Sequence, residues 1–324
     1  MRRDFKVRDP LNPFRIDWDE HSRERWNTLL AACHRPTLTQ SWDYAEGMAR
    51  TEGYRTDFGV ILFHDRPVGL VQAQVKAIVG RLSASRIHRG PVWVHAEIPG
   101  EMQKLALGLL RERYRLRRGR LLYFHPELVD TPPHRAQLRQ SGFRRRQPGY
   151  SSIWIDLRPS EEELRRGLKQ KWRNCLNQAE RNGLAAECVY DDESFDWLVG
   201  RHETLMAARR YRGPSRALLT HLRALGREDR TVTVIRAVHQ DRPLAGIMLI
   251  RHGRAATYLV GWTGVQGRAL RAHHLLLWSG ILELKHQGLD WLDLGGFNWK
   301  EAAGVARFKL GLGGEPFTLV GGHS

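Results

Sequence analysis

The chain has 324 residues, 41% hydrophobic and 27% charged, with a formal net charge of +17. That is enough apolar sequence for two domains with proper cores, and it excludes a disordered chain. Cys33, Cys175 and Cys188 form no CxxC unit, which speaks against a disulfide framework or a zinc site, and no apolar run approaches the roughly 18–20 residues that a membrane span requires.

Residues 22–34 and 41–50 read as helices. Strands follow at 58–64, 68–79 and 91–95, then a helix over 99–117 with Leu105, Leu109 and Leu110 on one face, then a strand at 121–124. Arg89-Gly90-Pro91-Val92 carries a turn signal. An alternating strand at 152–157 opens a second stretch, and Ser160 caps a helix whose first turn holds Glu161, Glu162 and Glu163. That helix runs on as a basic one through Arg165, Arg166, Lys169, Lys171, Arg173 and Arg181. Lys169 and Arg173 form an i,i+4 pair able to hold a phosphate, while solvated surface accounts for much of the remainder. Arg209-Arg210-Tyr211-Arg212-Gly213-Pro214 is a cationic exit from a helix, suited equally to anion binding and to plain surface charge. Strands recur at 232–238, 245–251 and 255–260, followed by a helix over 270–286 closed by Gly288 and a strand at 289–294. Coil and a final strand at 316–320 complete the chain.

Two of these segments echo each other. In Val60–Val71 and again in Val232–Met248, a β-rich run meets Asp-Arg-Pro, an apolar residue, a glycine and a second β-rich run. Turn residues between apolar strands mark a β-hairpin. The contexts agree too, so the expectation is two copies of one α/β unit, over residues 1–148 and 149–324. Helices mixed with hairpins point to an α+β fold with mixed, mostly antiparallel sheets.

Only eight of the 52 basic residues are lysines. A GC-rich genome favours arginine, and a polyanionic partner such as RNA, a nucleotide sugar, coenzyme A or a membrane surface also selects positive charge. Charge alone does not choose. The chemistry-bearing stretch is at the C-terminal end. There Leu292-Asp293-Leu294 runs into Gly295-Gly296, and Lys309 stands between Phe308 and a glycine-rich run. A glycine pair lets backbone approach a ligand closely, and a lysine beside it can meet an oxyanion or a phosphate. There is no GxSxG elbow and no Walker A loop. The segment from Gly264 to Ala272 lies between a strand and a helix, where amides could take a pyrophosphate, but its glycine spacing is irregular. Trp262 and Trp299 lie near expected loops and could stack on a base or sugar.

Taken in order, the fragments Gln40-Ser41-Trp42, Arg89-Gly90-Pro91-Val92, Gly142-Phe143, Gln147-Pro148, Ile155-Asp156-Leu157, the basic helix with Lys171, Arg173, Ala179 and Gly183, and the C-terminal set Asp293, Gly295, Gly296, Phe308, Lys309 and Gly314 form a pattern. The chain resembles the Fem family of non-ribosomal peptidyltransferases, within the acetyltransferase-like (GNAT) superfamily. The resemblance implies two tandem GNAT-like domains, residues 149–324 carrying the catalytic element. It implies transfer of an aminoacyl group from aminoacyl-tRNA to an amine of a peptidoglycan-type precursor, phosphorylated or nucleotide-linked, in the cytoplasm and without a metal or resident cofactor. It places catalysis at Lys309, flanked by Phe308.

The assigned acceptor residues are Arg209, Arg210, Gln40, Trp42, Gly295 and Gly296, and the donor residues are Lys169, Lys171, Arg173 and Arg268. Two features depart from the family. Members using a nucleotide-linked precursor carry a lysine in the helix after Gln-Ser, where this chain has Gly47 and Met48, with Arg50 the nearest cation. The family's long coiled-coil arm has no counterpart. Two alternatives stay open: an N-acyltransferase using acyl-coenzyme A, and a non-catalytic RNA- or nucleotide-binding protein. A monomer touching the membrane surface through its charge is the expected form.

Overall fold

The computed structural model describes residues 13–324 other than Glu20, Arg81 and 298–301. In chain order the first unit comprises β1 (Phe14–Asp17), α1 (Arg23–Ala32), a 3-10 turn (Leu38–Gln40), α2 (Trp42–Glu52), β2 (Arg55–Phe63), β3 (Arg66–Val79), β4 (Leu82–His88), β5 (Val92–Trp93), α3 (Gly100–Arg113), a 3-10 turn (Leu116–Arg118), β6 (Arg120–His125) and α4 (Pro132–Gln140). The second comprises β7 (Ser151–Asp156), α5 (Glu161–Gly167), α6 (Gln170–Arg181), β8 (Ala185–Val189), α7 (Asp192–Arg209), α8 (Arg216–Leu225), β9 (Val232–His239), β10 (Arg242–His252), β11 (Ala255–Thr263), α9 (Val265–Ala269), α10 (Ala272–His286), β12 (Trp291–Asp293), α11 (Ala303–Leu310) and β13 (Glu315–Thr318).

The sequence echo is a topological repeat. One sheet runs β1-β2-β3-β4-β6 with β5 on β3, and the other runs β13-β7-β12-β11-β10-β9-β8. In each, successive antiparallel strands end in a parallel partner reached through a helix: β6 lies on β4 after α3, and β12 lies on β11 after α10. Both Asp-Arg-Pro hairpins turn through two residues of positive φ, His64 (47°) with Asp65 (61°) and Gln240 (50°) with Asp241 (59°). That backbone matches the right-handed twist of the flanking strands. The fold is α+β, with mixed sheets flanked by helices.

Several elements differ from the sequence reading. Strand β4 lacks a clear apolar alternation (Leu-Ser-Ala-Ser-Arg-Ile-His) and was not anticipated, nor was α4, although Thr131 caps it and prolines open it. The basic helix is two helices. Leu168 and Lys169 are extended (ψ 135° and 141°), so Lys169 is the cap before α6, its carbonyl accepting from the Arg173 amide at 2.9 Å. The stretch read as coil before the last strand contains α11, which carries Phe308 and Lys309.

Each sheet has its own core, with Val71, Ile87, Leu110 and Phe124 in the first and Ile155, Ile247, Leu276 and Leu292 in the second. A third cluster joins the units. Leu38 and Met48 pack with Leu218, Leu222, Met248 and Val260. Helix α2 approaches α8 so closely that a Cβ on Gly47 would stand 2.8 Å from Leu218 Cδ1. Gly47 is therefore a buried helix contact. The C-terminal tail crosses back as well: Val320 sits in the first core, and His323 bridges to Phe124 and Arg145.

Candidate active site

Lys309 is buried, and its Nζ donates to the carbonyls of Gly295 (3.0 Å) and Gly296 (3.1 Å). The same ammonium lies 5.3 Å from the centre of the Tyr258 ring. Burial lowers its pKa from 10.5 to about 8, with Asp293 opposing the shift. At neutral pH it is mostly a cation. Gly295 is needed for geometry: its φ is +71°, and a Cβ there would stand 2.5 Å from the Tyr258 carbonyl oxygen.

The glycine turn is held by a chain of hydrogen bonds from the other unit. Asp293, fully buried at the end of β12, accepts from the Gly295 amide (2.9 Å), from Ser152 Oγ and from Arg89 Nη1. Ser152 Oγ also reaches the Gly295 carbonyl at 2.9 Å. Arg89 binds Glu127 through two parallel bonds, of 2.8 and 2.7 Å, and lies over the Tyr150 ring. Although burial works against the charged carboxylate, Arg89, Ser152 and the Gly295 amide together hold the Asp293 pKa below its ordinary value. A buried cation between two carboxylates thus links the first unit to the turn that carries Lys309.

Around Lys309 stand Tyr258 and His273, whose hydroxyl and Nε2 are 3.0 Å apart. Burial, with His274 and Lys309 nearby, lowers His273 to about 4, so its ring is neutral near pH 7. Burial raises the Tyr258 pKa, and Tyr211 adds to that. Phe308 packs against His273, His274 and Trp172. Trp172 Nε1, His273 Nδ1 and His274 Nδ1 are buried without a hydrogen-bond partner among the described residues. Such groups ordinarily find a partner, so this cluster is suited to a polar ligand or water. Strand β11 pairs with β12 only through Thr257 and then continues to Thr263, and Leu259 is bulged out of its pairing with β10. In the first unit β4 and β6 stay paired from Ser83 and Arg120 to His88 and His125. The sheet therefore parts only in the second unit, beside Lys309.

The structure brings together Lys309, Phe308, Gly295 and Gly296. It gives Gln40 a different part. Gln40 is fully buried, its amide oxygen accepts from the Gln72 amide (2.7 Å) and its Nε2 reaches the His88 carbonyl (3.0 Å), so it braces the Arg89 turn and is not free for an acceptor. Trp42 is stacked on Phe58 at 4.3 Å. Trp262 packs against Trp197 and under Arg201, so it is not the free stacking surface expected, and Trp299 lies outside the described residues. Arg209 and Arg210 are exposed at the end of α7. Lys169 and Lys171 are exposed and Arg173 half-buried on and before α6, which docks on α11 through the Lys169 amide and the Gly311 carbonyl (2.9 Å). With exposed Arg268, Arg271 and Arg307 they form a cationic rim, and none of these is in an ion pair among the described residues. The Gly264–Ala272 segment holds α9 and packs on β10: a Cβ on Gly267 would stand 2.7 Å from the Leu244 carbonyl oxygen.

Sequence reasoning missed Tyr258, His273 and Ser152, which sit in ordinary strand and helix sequence. Two clefts of about 560 and 310 Å³ share Arg35, Trp154 and Glu315. Neither is lined by Lys309.

Residues 163–317, within the second unit, match the model of the acetyltransferase (GNAT) domain. By structure, the chain is similar to FemX at 13% identity, with a TM-score of 0.77 over 94% of this chain and 96% of that one. It is similar to a conserved protein of unknown function from Bacteroides thetaiotaomicron VPI-5482 at 14% identity, with a TM-score of 0.60 over 95% of this chain and 99% of that one. It is also similar to the C-terminal domain of a lysylphosphatidylglycerol synthetase-type protein from Agrobacterium fabrum, at 15% identity and a TM-score of 0.54 over 93% of this chain and 91% of that one. No curated protein matches the sequence. The chain has a Fem-like fold built of GNAT-like units.

Proposed function

We propose that this protein is an aminoacyltransferase that moves an aminoacyl group from aminoacyl-tRNA to an amine of a cell-envelope precursor of the peptidoglycan type. The observation that carries this reading is Lys309, a buried cation held by two backbone carbonyls where β11 and β12 part, beneath a cationic rim. In the reaction, the neutral acceptor amine attacks the ester carbonyl, a C–N bond forms, and the ester C–O bond breaks. One proton leaves the amine and one reaches the departing ribose hydroxyl. Lys309 stabilises the tetrahedral oxyanion, an effect worth about 3 kcal/mol for one donor. Among the described residues the carboxylate nearest the site, Asp293, is fully committed, which leaves the Tyr258–His273 pair as the protic group beside the reaction. The rim takes the tRNA backbone. The protein works in the cytoplasm as a monomer, and no described helix is long and apolar enough to cross a membrane.

Transfer from charged tRNA to an amine acceptor, measured with purified protein and with Lys309→Met, tests the proposal. Retention of tRNA that weakens steeply with salt, together with loss of transfer in the variant, supports it. A folded Lys309→Met that transfers at the wild-type rate refutes the role of the lysine.

A second reading is an N-acyltransferase using acyl-coenzyme A. It is favoured by the GNAT match and by the stretch of β11 beyond Thr257, which β12 leaves unpaired. Thermal stabilisation by coenzyme A and not by tRNA would select it.

A further inference from the structure

The hairpin of β3 and β4 ends in a tip that nothing in the site uses. Strand β2 begins at Arg55, opposite Val75, so residues 76–79 of β3 run on beyond it. All four are exposed, and they include Ile78 (53%) and Val79 (73%). The tip closes through Val79 and Leu82, and Ser83 pairs with Arg120 while its amide bonds the Gly119 carbonyl at 2.8 Å. This brings the 3-10 turn of Leu116–Arg118 alongside, with Leu116 65% exposed. Three large aliphatic side chains therefore protrude at one corner of the first unit.

The net charge around them is positive. Lys76 precedes Ile78, and Arg115, Arg117, Arg118 and Arg120 flank Leu116. Arg115, Arg117 and Arg118 share the single carboxylate of Glu112, so two of those three positive charges stay unbalanced. Arg120 makes no ion pair among the described residues, and Lys76 Nζ bonds only the Glu52 carbonyl. The aliphatic overhang of β3, left unpaired on the side where β2 ends, is a liability for pairing with other chains. A ring of cations discourages pairing with a second copy of this chain, because like charges would meet. Nucleic acid gains little from protruding isoleucine, valine and leucine, since single strands are held by aromatic stacking. A bilayer with anionic headgroups takes both parts at once, aliphatic tips at the acyl boundary and arginines at the phosphates.

We infer that the β3–β4 tip with the Leu116 turn is a docking surface for an anionic membrane. This is independent of the donor and acceptor proposed above. The test is cosedimentation of the full chain with phosphatidylcholine vesicles, with and without phosphatidylglycerol, using wild type, Ile78→Ser/Val79→Ser and Arg117→Ser/Arg118→Ser. Because all four side chains are exposed, thermal unfolding of the variants should match wild type. The expected result is binding to the anionic vesicles only. The charge variant should lose roughly 25-fold, about fivefold per cation. The aliphatic variant should lose about tenfold or more, with the difference persisting in salt that screens the arginines. Wild-type protein that stays in the supernatant overturns the inference, as does an aliphatic variant that binds like wild type. A tip substitution that weakens tRNA binding and not vesicle binding would make this an RNA surface. One that turns a dimer into a monomer would make it a self-association surface. Either result also overturns the inference.

Discussion

Replacing Lys309 by methionine should change how stability depends on pH in the alkaline range. The lysine is buried and its pKa is lowered from 10.5 to about 8. Its folded pKa lies below its unfolded one, so between pH 8 and 10.5 the unfolded chain holds more protons and stability rises with pH. Below pH 8 the cost of burying the charge is fully present. The displacement corresponds to about 3 kcal/mol. Methionine has nearly the same shape and no charge, so its stability carries no such term. It leaves the Gly295 and Gly296 carbonyls without their donor, which costs about 1–3 kcal/mol at every pH. The stability of wild type minus that of Lys309→Met, from urea unfolding, should therefore rise by about 3 kcal/mol between pH 7 and 10.5. Other groups that titrate in this range, tyrosines and cysteines included, are common to both proteins and cancel. Parallel curves would refute the reasoning, because they would mean that Lys309 keeps an ordinary pKa and is not the buried cation described above.

Arg89→Met leaves Asp293 and Glu127 buried without their cation and should destabilise the protein by about 3–5 kcal/mol, read by urea unfolding, with Arg89→Lys falling between. Gly295→Ala meets both the positive φ and the Tyr258 carbonyl. It should cost about 2 kcal/mol or more and cut transfer through the displaced lysine acceptors, measured by unfolding and by single-turnover transfer. Lys171→Glu with Arg173→Glu should leave thermal stability near wild type while weakening tRNA retention and lowering its salt slope by about two, measured by filter binding across a salt series. Under the coenzyme A reading the same pair would leave tRNA retention unchanged.

Much of the architecture was legible because local signals and the fold agreed. The repeated Asp-Arg-Pro motif predicted both hairpins and, through them, the repeated unit. The Ser160 cap with Glu163 is seen as a reciprocal capping box. The strand entering Gly295-Gly296 stands where it was expected. The misses have physical causes. Strand β4 alternates serine and alanine with isoleucine and so lacks an apolar stripe, yet pairing on both sides holds it in the sheet. The basic run looked like one helix because nothing in Leu168-Lys169 forbids helix. A tertiary bond from the Lys169 amide to Gly311 breaks it there. Gln40 looked like a polar ligand residue and proved to be a buried brace, because the backbone groups that satisfy it lie 32 and 48 residues away in sequence.

By itself the sequence singled out Lys309 and the glycine pair, two related α/β units with those residues in the second, and a run of basic residues after Ser160. Those are local properties: residue type, spacing and turn chemistry. Only the tertiary structure decided what tunes the lysine. Its low pKa comes from burial, its acceptors are carbonyls 13 and 14 residues back in the chain, and the turn that presents them is tied through Asp293 to an arginine 204 residues away. A side chain's desolvation and the partners it meets across a core depend on how distant segments are packed, and no periodicity along the chain encodes them.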